Sequence, residues 1–117
     1  MREATYNPNQ NTNKANAYLL KEISEASPQK LIIKLYDLAI VCYQKGDFAK
    51  ANKAVTELIN SLNFVDEKAK EISFGLLRLY QFAQEQARKG NLEVSIKILQ
   101  ELRDTWTLVF TRQTISY

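Results

Sequence analysis

Apolar residues recur between residues 28 and 110 at the three-and-four spacing of helices, and each interruption falls at residues suited to end one helix and start another. Ser27 can accept a hydrogen bond from the free amides of a first turn. Pro28 fits the first helical position, where a missing N–H costs nothing. The first helix is therefore predicted from Pro28 to about Lys45, with Gly46 as a left-handed cap. Asp47 caps a second, which runs to about Leu62 with Phe48, Ala51, Val55, Leu58, Ile59 and Leu62 on one narrow seam. Asn63 and Asp66 bracket the next turn. A third helix continues to Lys89 with Ile72, Leu76, Leu79, Tyr80, Ala83 and Ala87 inward and with Phe74, Leu77 and Phe82 off that face. Gly90 stops it, and Asn91 caps a fourth, whose inner face carries Leu92, Ile96, Leu99, Leu102, Trp106 and Phe110. Connections this short force neighbours to run antiparallel. The expected fold is all-α, an antiparallel up-and-down four-helix bundle over residues 27–117.

The width of the apolar arcs adds a second expectation. On the first helix only Lys30, Lys34, Asp37 and Gln44 form a polar strip. Leu31, Leu35, Leu38 and Cys42 make one seam, Ile32, Tyr36, Ala39 and Tyr43 extend it, and Ile33 and Ile40 carry it to the far side, an arc of roughly 220° where about 100° is usual. On the fourth helix Val94, Ile98 and Val109 widen the arc to roughly 200°. Two helices are thus predicted to present more apolar surface than their neighbours cover, which marks an interaction site, a seam with a second copy of the chain, or a place where another part of this chain packs.

That other part is the start of the chain. Residues 5–16 are rich in Asn with Gln, Thr and Pro8, a composition that competes with helix and buries nothing, so residues 1–26 are expected to form a partly disordered arm. Within it Tyr18, Leu19, Leu20 and Ile23 form a short apolar group able to dock.

Composition narrows the function. Among 117 residues there is no histidine and one cysteine, and the acids are scattered, which removes most general bases at neutral pH and nearly all transition-metal geometries. A binding protein without cofactors is expected, and no enzyme. Cys42 lies in an apolar seam and reads as a buried structural thiol. The net charge of +3 invites nucleic acid, but the 16 basic residues alternate with 13 acids and form no stripe. Apolar runs are far too short to span a membrane, no apolar signal region opens the chain, and no internal disulfide can form, so a cytoplasmic location without membrane insertion is expected. Arg103 is placed near the inner face, reaching a carboxylate on a neighbouring helix, with Asp104 outward.

A repeated frame, Lys45-Gly46-Asp47-Phe48 and Lys89-Gly90-Asn91-Leu92, recurs at a spacing of 44 residues. It looks like the linkers of tetratricopeptide repeats, whose period is about 34 residues. Cap chemistry used twice explains it as well, and a helical-repeat interaction scaffold stands as the alternative reading.

Three segments together resemble the flagellin-specific export chaperone family, FliS: Ala26-Ser27-Pro28-Gln29-Lys30-Leu31 followed by Leu35-Tyr36-Asp37, then Leu79-Tyr80, then Leu102-Arg103-Asp104-Thr105-Trp106. Tyr18 and Ile23 sit where that family places an aromatic and an aliphatic residue ahead of the first helix. The sequence departs from the family at Leu38, where glycine is common, and at Gln81-Phe82-Ala83 after the central Leu-Tyr. The resemblance implies a small ATP-independent chaperone whose partners are the C-terminal segment of flagellin, held along hydrophobic grooves, and the flagellar export apparatus. On that basis Ile33, Ile40, Val94, Ile98 and Val109 are the expected cargo-binding residues, and Tyr18 and Ile23 are expected to cap the groove when cargo is absent.

Overall fold

The computed structural model describes residues 27–115, with side chains to residue 112. Four helices follow one another: α1 Pro28–Lys45, α2 Phe48–Asn60, α3 Glu67–Arg88 and α4 Leu92–Ile115. Helix α1 packs against α2 and α4, and α3 packs against α2 and α4, which closes an up-and-down bundle. Tandem helix pairs would leave the first and last helices apart, so the α1–α4 contact disfavours a helical-repeat scaffold.

The predicted punctuation is present at most of the boundaries. Ser27 Oγ accepts from the Lys30 amide at 3.3 Å, and Asp47 Oδ1 accepts from the Lys50 amide at 3.2 Å. Gly46 and Gly90 take φ of 81° and 91°, a left-handed conformation that a side chain would strain, and this lets α1 and α3 end with only two and three residues before the next helix. Asn63 Oδ1 accepts from the amides of Val65 and Asp66, and Asp66 Oδ1 from that of Lys68, fixing the longer α2–α3 turn. At the start of α4 the Asn91 side-chain amide donates instead to Gln86 Oε1 at 2.8 Å, tying the turn back to α3. Helix α2 stops two residues before Leu62, where the Ser61 hydroxyl donates to the Leu58 carbonyl.

The core gathers Leu35, Tyr36, Ala39, Ile40, Cys42 and Tyr43 from α1, Ala51, Ala54, Val55 and Leu58 from α2, Tyr80 and Ala87 from α3, and Leu99 from α4. Full burial of a leucine such as Leu58 or Leu99 contributes about 1.5–3 kcal/mol. Burial also pushes the Cys42 thiol above its ordinary pKa, with the Asp47 carboxylate adding to it, in keeping with an unreactive structural residue.

Two features correct the sequence reading of the core. The inner seam of α3 runs through Ser73, Leu76, Tyr80, Ala83 and Ala87, whereas Ile72 and Leu79, expected inward, lie out in solvent, Ile72 at 59 % exposure. Each precedes an inner residue by one position, and one position rotates a side chain by about 100°. Three of these five positions are small, and the hydroxyls that meet there are satisfied: Ser73 Oγ donates to the Asn63 carbonyl at 2.7 Å, and Ser95 Oγ of α4 donates to the Ala83 carbonyl.

The second correction concerns α1. Ile40, expected on an open far side, is only 3 % exposed and belongs to the core, and Ile33 is half-buried. Helix α1 is flanked by α2 on one side and α4 on the other, so its wide arc is largely covered from within the bundle. Ile40 is therefore not part of an open groove.

Candidate protein-binding face

Large apolar side chains are exposed on every helix, including Val41 of α1 and Phe48 of α2, but they line up only on α3 and α4. On α3, Ile72, Leu79 and Phe82 are exposed, and with the half-buried Gly75 they follow one another at spacings of three, four and three, a second seam one position before the core seam. On α4, Val94 is 41 % exposed and Ile98 and Val109 are half-buried, all three on one side of the helix. Ser95 bonds to α3 and Arg103 bonds to α1, which fixes the two flanks of α4, and the helical period places Val94, Ile98 and Val109 on the α3 flank. The Ser95–Ala83 contact also sets the antiparallel register. Phe82 is level with Val94 and Ile98, Leu79 with Ile98 and Leu102, and Ile72 with Val109. The result is an apolar strip along the α3–α4 boundary, about 15 Å long on α3 and about 22 Å on α4 at 1.5 Å per residue, with the exposed Glu101 and Thr105 between Ile98 and Val109 on α4.

Of the five expected cargo residues, the structure brings together three. Val94, Ile98 and Val109 share the α3 side of α4, while Ile33 and Ile40 lie at the opposite, α1–α4 boundary, which is occupied by core packing and by an ion pair. There Arg103 Nη1 donates to Asp37 Oδ1 at 3.1 Å and Arg103 Nε to Asp104 Oδ1 at 3.2 Å. Burial works against the charged guanidinium, and the bonds to Asp37 and Asp104 more than offset it, holding its pKa above the ordinary value. Arg103 thus reaches a carboxylate on a neighbouring helix, as expected, and Asp104 faces outward. Tyr18 and Ile23 lie outside the described residues.

Sequence reasoning missed the contribution of α3 to the strip. The signal was present in the 72-75-79-82 spacing, which runs parallel to 73-76-80-83-87 and could equally have been read as the outer seam.

Among the described residues no group of His, Cys, Asp and Glu could hold a metal ion. No helix of the described residues is long and apolar enough to cross a membrane.

Beneath the strip, Tyr36 of α1, Tyr80 of α3 and Trp106 of α4 come together in the bundle. The Tyr36 and Tyr80 hydroxyls share a hydrogen bond across the diagonal, with ring centroids 6.1 Å apart, and Trp106 packs against the same core. Trp106 in turn stacks on Phe110 at 5.5 Å. These three aromatics come from the three separate segments that resemble the FliS family. The family described as flagellar protein FliS matches residues 11–113. The chain belongs to the FliS family. Its members are chaperones of flagellar export, and in this chain the Tyr36–Tyr80 hydroxyl pair ties α1 to α3 across the bundle. No curated protein and no solved structure matches the chain.

Proposed function

We propose that this FliS protein is an ATP-independent cytoplasmic chaperone that holds the C-terminal segment of flagellin along the α3–α4 strip, prevents its premature polymerisation, and delivers it to the flagellar export apparatus. The observation that carries the reading is the strip itself: Ile72, Leu79 and Phe82 beside Val94, Ile98 and Val109, apolar side chains that the described residues leave wholly or partly in water. An amphipathic segment laid along it would bury apolar positions spaced three and four apart, the arrangement of a helix in a groove. Ordering a segment that is unfolded in the free client costs about 2–5 kcal/mol, which keeps binding reversible without a nucleotide. Residues 1–26 serve as an arm, with Tyr18 and Ile23 covering the strip until cargo displaces them.

The test is co-elution of the full chain with flagellin monomer on gel filtration. Intact flagellin is expected to form a stable complex, and flagellin shortened by its C-terminal segment is expected to elute separately. Equal retention of both flagellins would contradict the proposal.

A further inference from the structure

Gly75 stands in the middle of α3, where a glycine is unfavourable: it exposes backbone and loses more conformational freedom on folding than alanine would. Nothing among the described residues asks for it. Its φ is not positive, unlike those of Gly46 and Gly90, and a Cβ placed on it would meet no atom of the described residues within 4 Å. Yet it is flanked on the uncovered strip by large side chains, Ile72 one turn before and Leu79 and Phe82 one and two turns after.

We infer that Gly75 forms a socket on the α3–α4 strip that receives one bulky apolar side chain, a leucine, methionine or phenylalanine, from the bound client helix. The inference rests on the proposed function and specifies how that site chooses its client. When helices interdigitate, a side chain of one enters a hole made by four residues of the other at positions i, i+3, i+4 and i+7. Ile72, Gly75, Leu76 and Leu79 have that spacing. Three of the four are large, so the absent side chain at Gly75 makes the depth of the hole. A helix can approach closely there, and a client with only small or polar residues at that register would leave the hole empty. The helical penalty of the glycine is then offset when a client side chain fills the hole, the usual pattern of a position where stability is given up for binding.

Calorimetric titration of the full chain with a synthetic peptide of the flagellin C-terminal segment tests this, alongside thermal melting. Gly75→Ala is expected to raise the melting midpoint by about 4 °C and to weaken peptide binding several-fold. Gly75→Leu, which fills the hole, is expected to weaken it at least about tenfold while the protein still folds. In an alanine scan of the peptide, one bulky apolar position should matter strongly for the wild-type chaperone and little for Gly75→Leu. If both variants bind as tightly as the wild type, the socket is refuted and the proposed function stands. If the wild type does not bind the peptide, both fail together.

Discussion

Placing a carboxylate at each of two opposed points of the strip, by Phe82→Asp together with Val94→Asp, is expected to lower affinity for the flagellin C-terminal segment at least about hundredfold. The magnitude follows from the position of the two side chains. They face each other across the α3–α4 boundary, at 48 % and 41 % exposure in the free protein, and would be covered by cargo. Loss of a well-covered apolar anchor costs about 2 kcal/mol or more, and about 1.4 kcal/mol is tenfold in affinity. A charge in each place adds the penalty of covering an unpaired carboxylate. The free protein should tolerate both changes, because substitutions at exposed positions away from special features stay within about 0.5 kcal/mol, and Val94 lies in the first turn of α4, where an acid is favourable. Titration calorimetry reports the affinity and circular dichroism the fold. Undiminished binding by a folded double variant would remove the strip from the site.

The second large effect is expected in the core. Tyr36→Phe should destabilise the bundle by about 1–3 kcal/mol, since it leaves the buried Tyr80 hydroxyl without its partner. Tyr80→Phe should cost a similar amount, because it orphans the buried Tyr36 hydroxyl in the same way. The double replacement should cost less than the sum of the two, as expected for groups that share one hydrogen bond. Urea unfolding of the four proteins measures the coupling, and strict additivity would show that the hydroxyls are satisfied separately. The same pair sets an alkaline limit. Burial raises the pKa of Tyr36 above its ordinary value near 10, with the nearby Tyr80 adding to it, and burial raises that of Tyr80 as well. A raised acid holds its proton more tightly when folded, so its contribution is fully present below about pH 10 and is lost as pH climbs towards the folded value. Stability should therefore fall above about pH 10, and the double phenylalanine variant should fall less steeply.

Much of the architecture could be read from local chemistry. Ser27 with Pro28, Gly46 with Asp47, and Gly90 each define a boundary through the conformation or hydrogen bond that residue type favours, and such signals need no knowledge of the rest of the chain. The assignment of faces was less secure, for two physical reasons. Periodicity gives the width of an apolar arc but not the number of helices that cover it. Ile40 looked surplus on α1 and is closed off because α4 packs beside it, whereas Val94, Ile98 and Val109 looked surplus on α4 and retain exposed surface on the flank towards α3. The other reason is the single residue that separates two adjacent seams. On α3 Ala83 and Ala87 were read inward correctly, but the bulkier Ile72 and Leu79 were counted with them in place of Ser73, a small residue whose hydroxyl finds a backbone carbonyl. The half of the strip contributed by α4 was thus legible, and the half contributed by α3 emerged only from the packing.

The central claim is that client binds along the α3–α4 boundary and not over α1 and α2. Methyl-labelled NMR of the full chain, with and without the flagellin C-terminal segment, tests it most directly. The account predicts that the largest shifts on binding occur at Ile72, Leu79, Val94, Ile98 and Val109, with little change at Val41 on the outer side of α1. Large shifts at Val41 with those five methyls unmoved would contradict it.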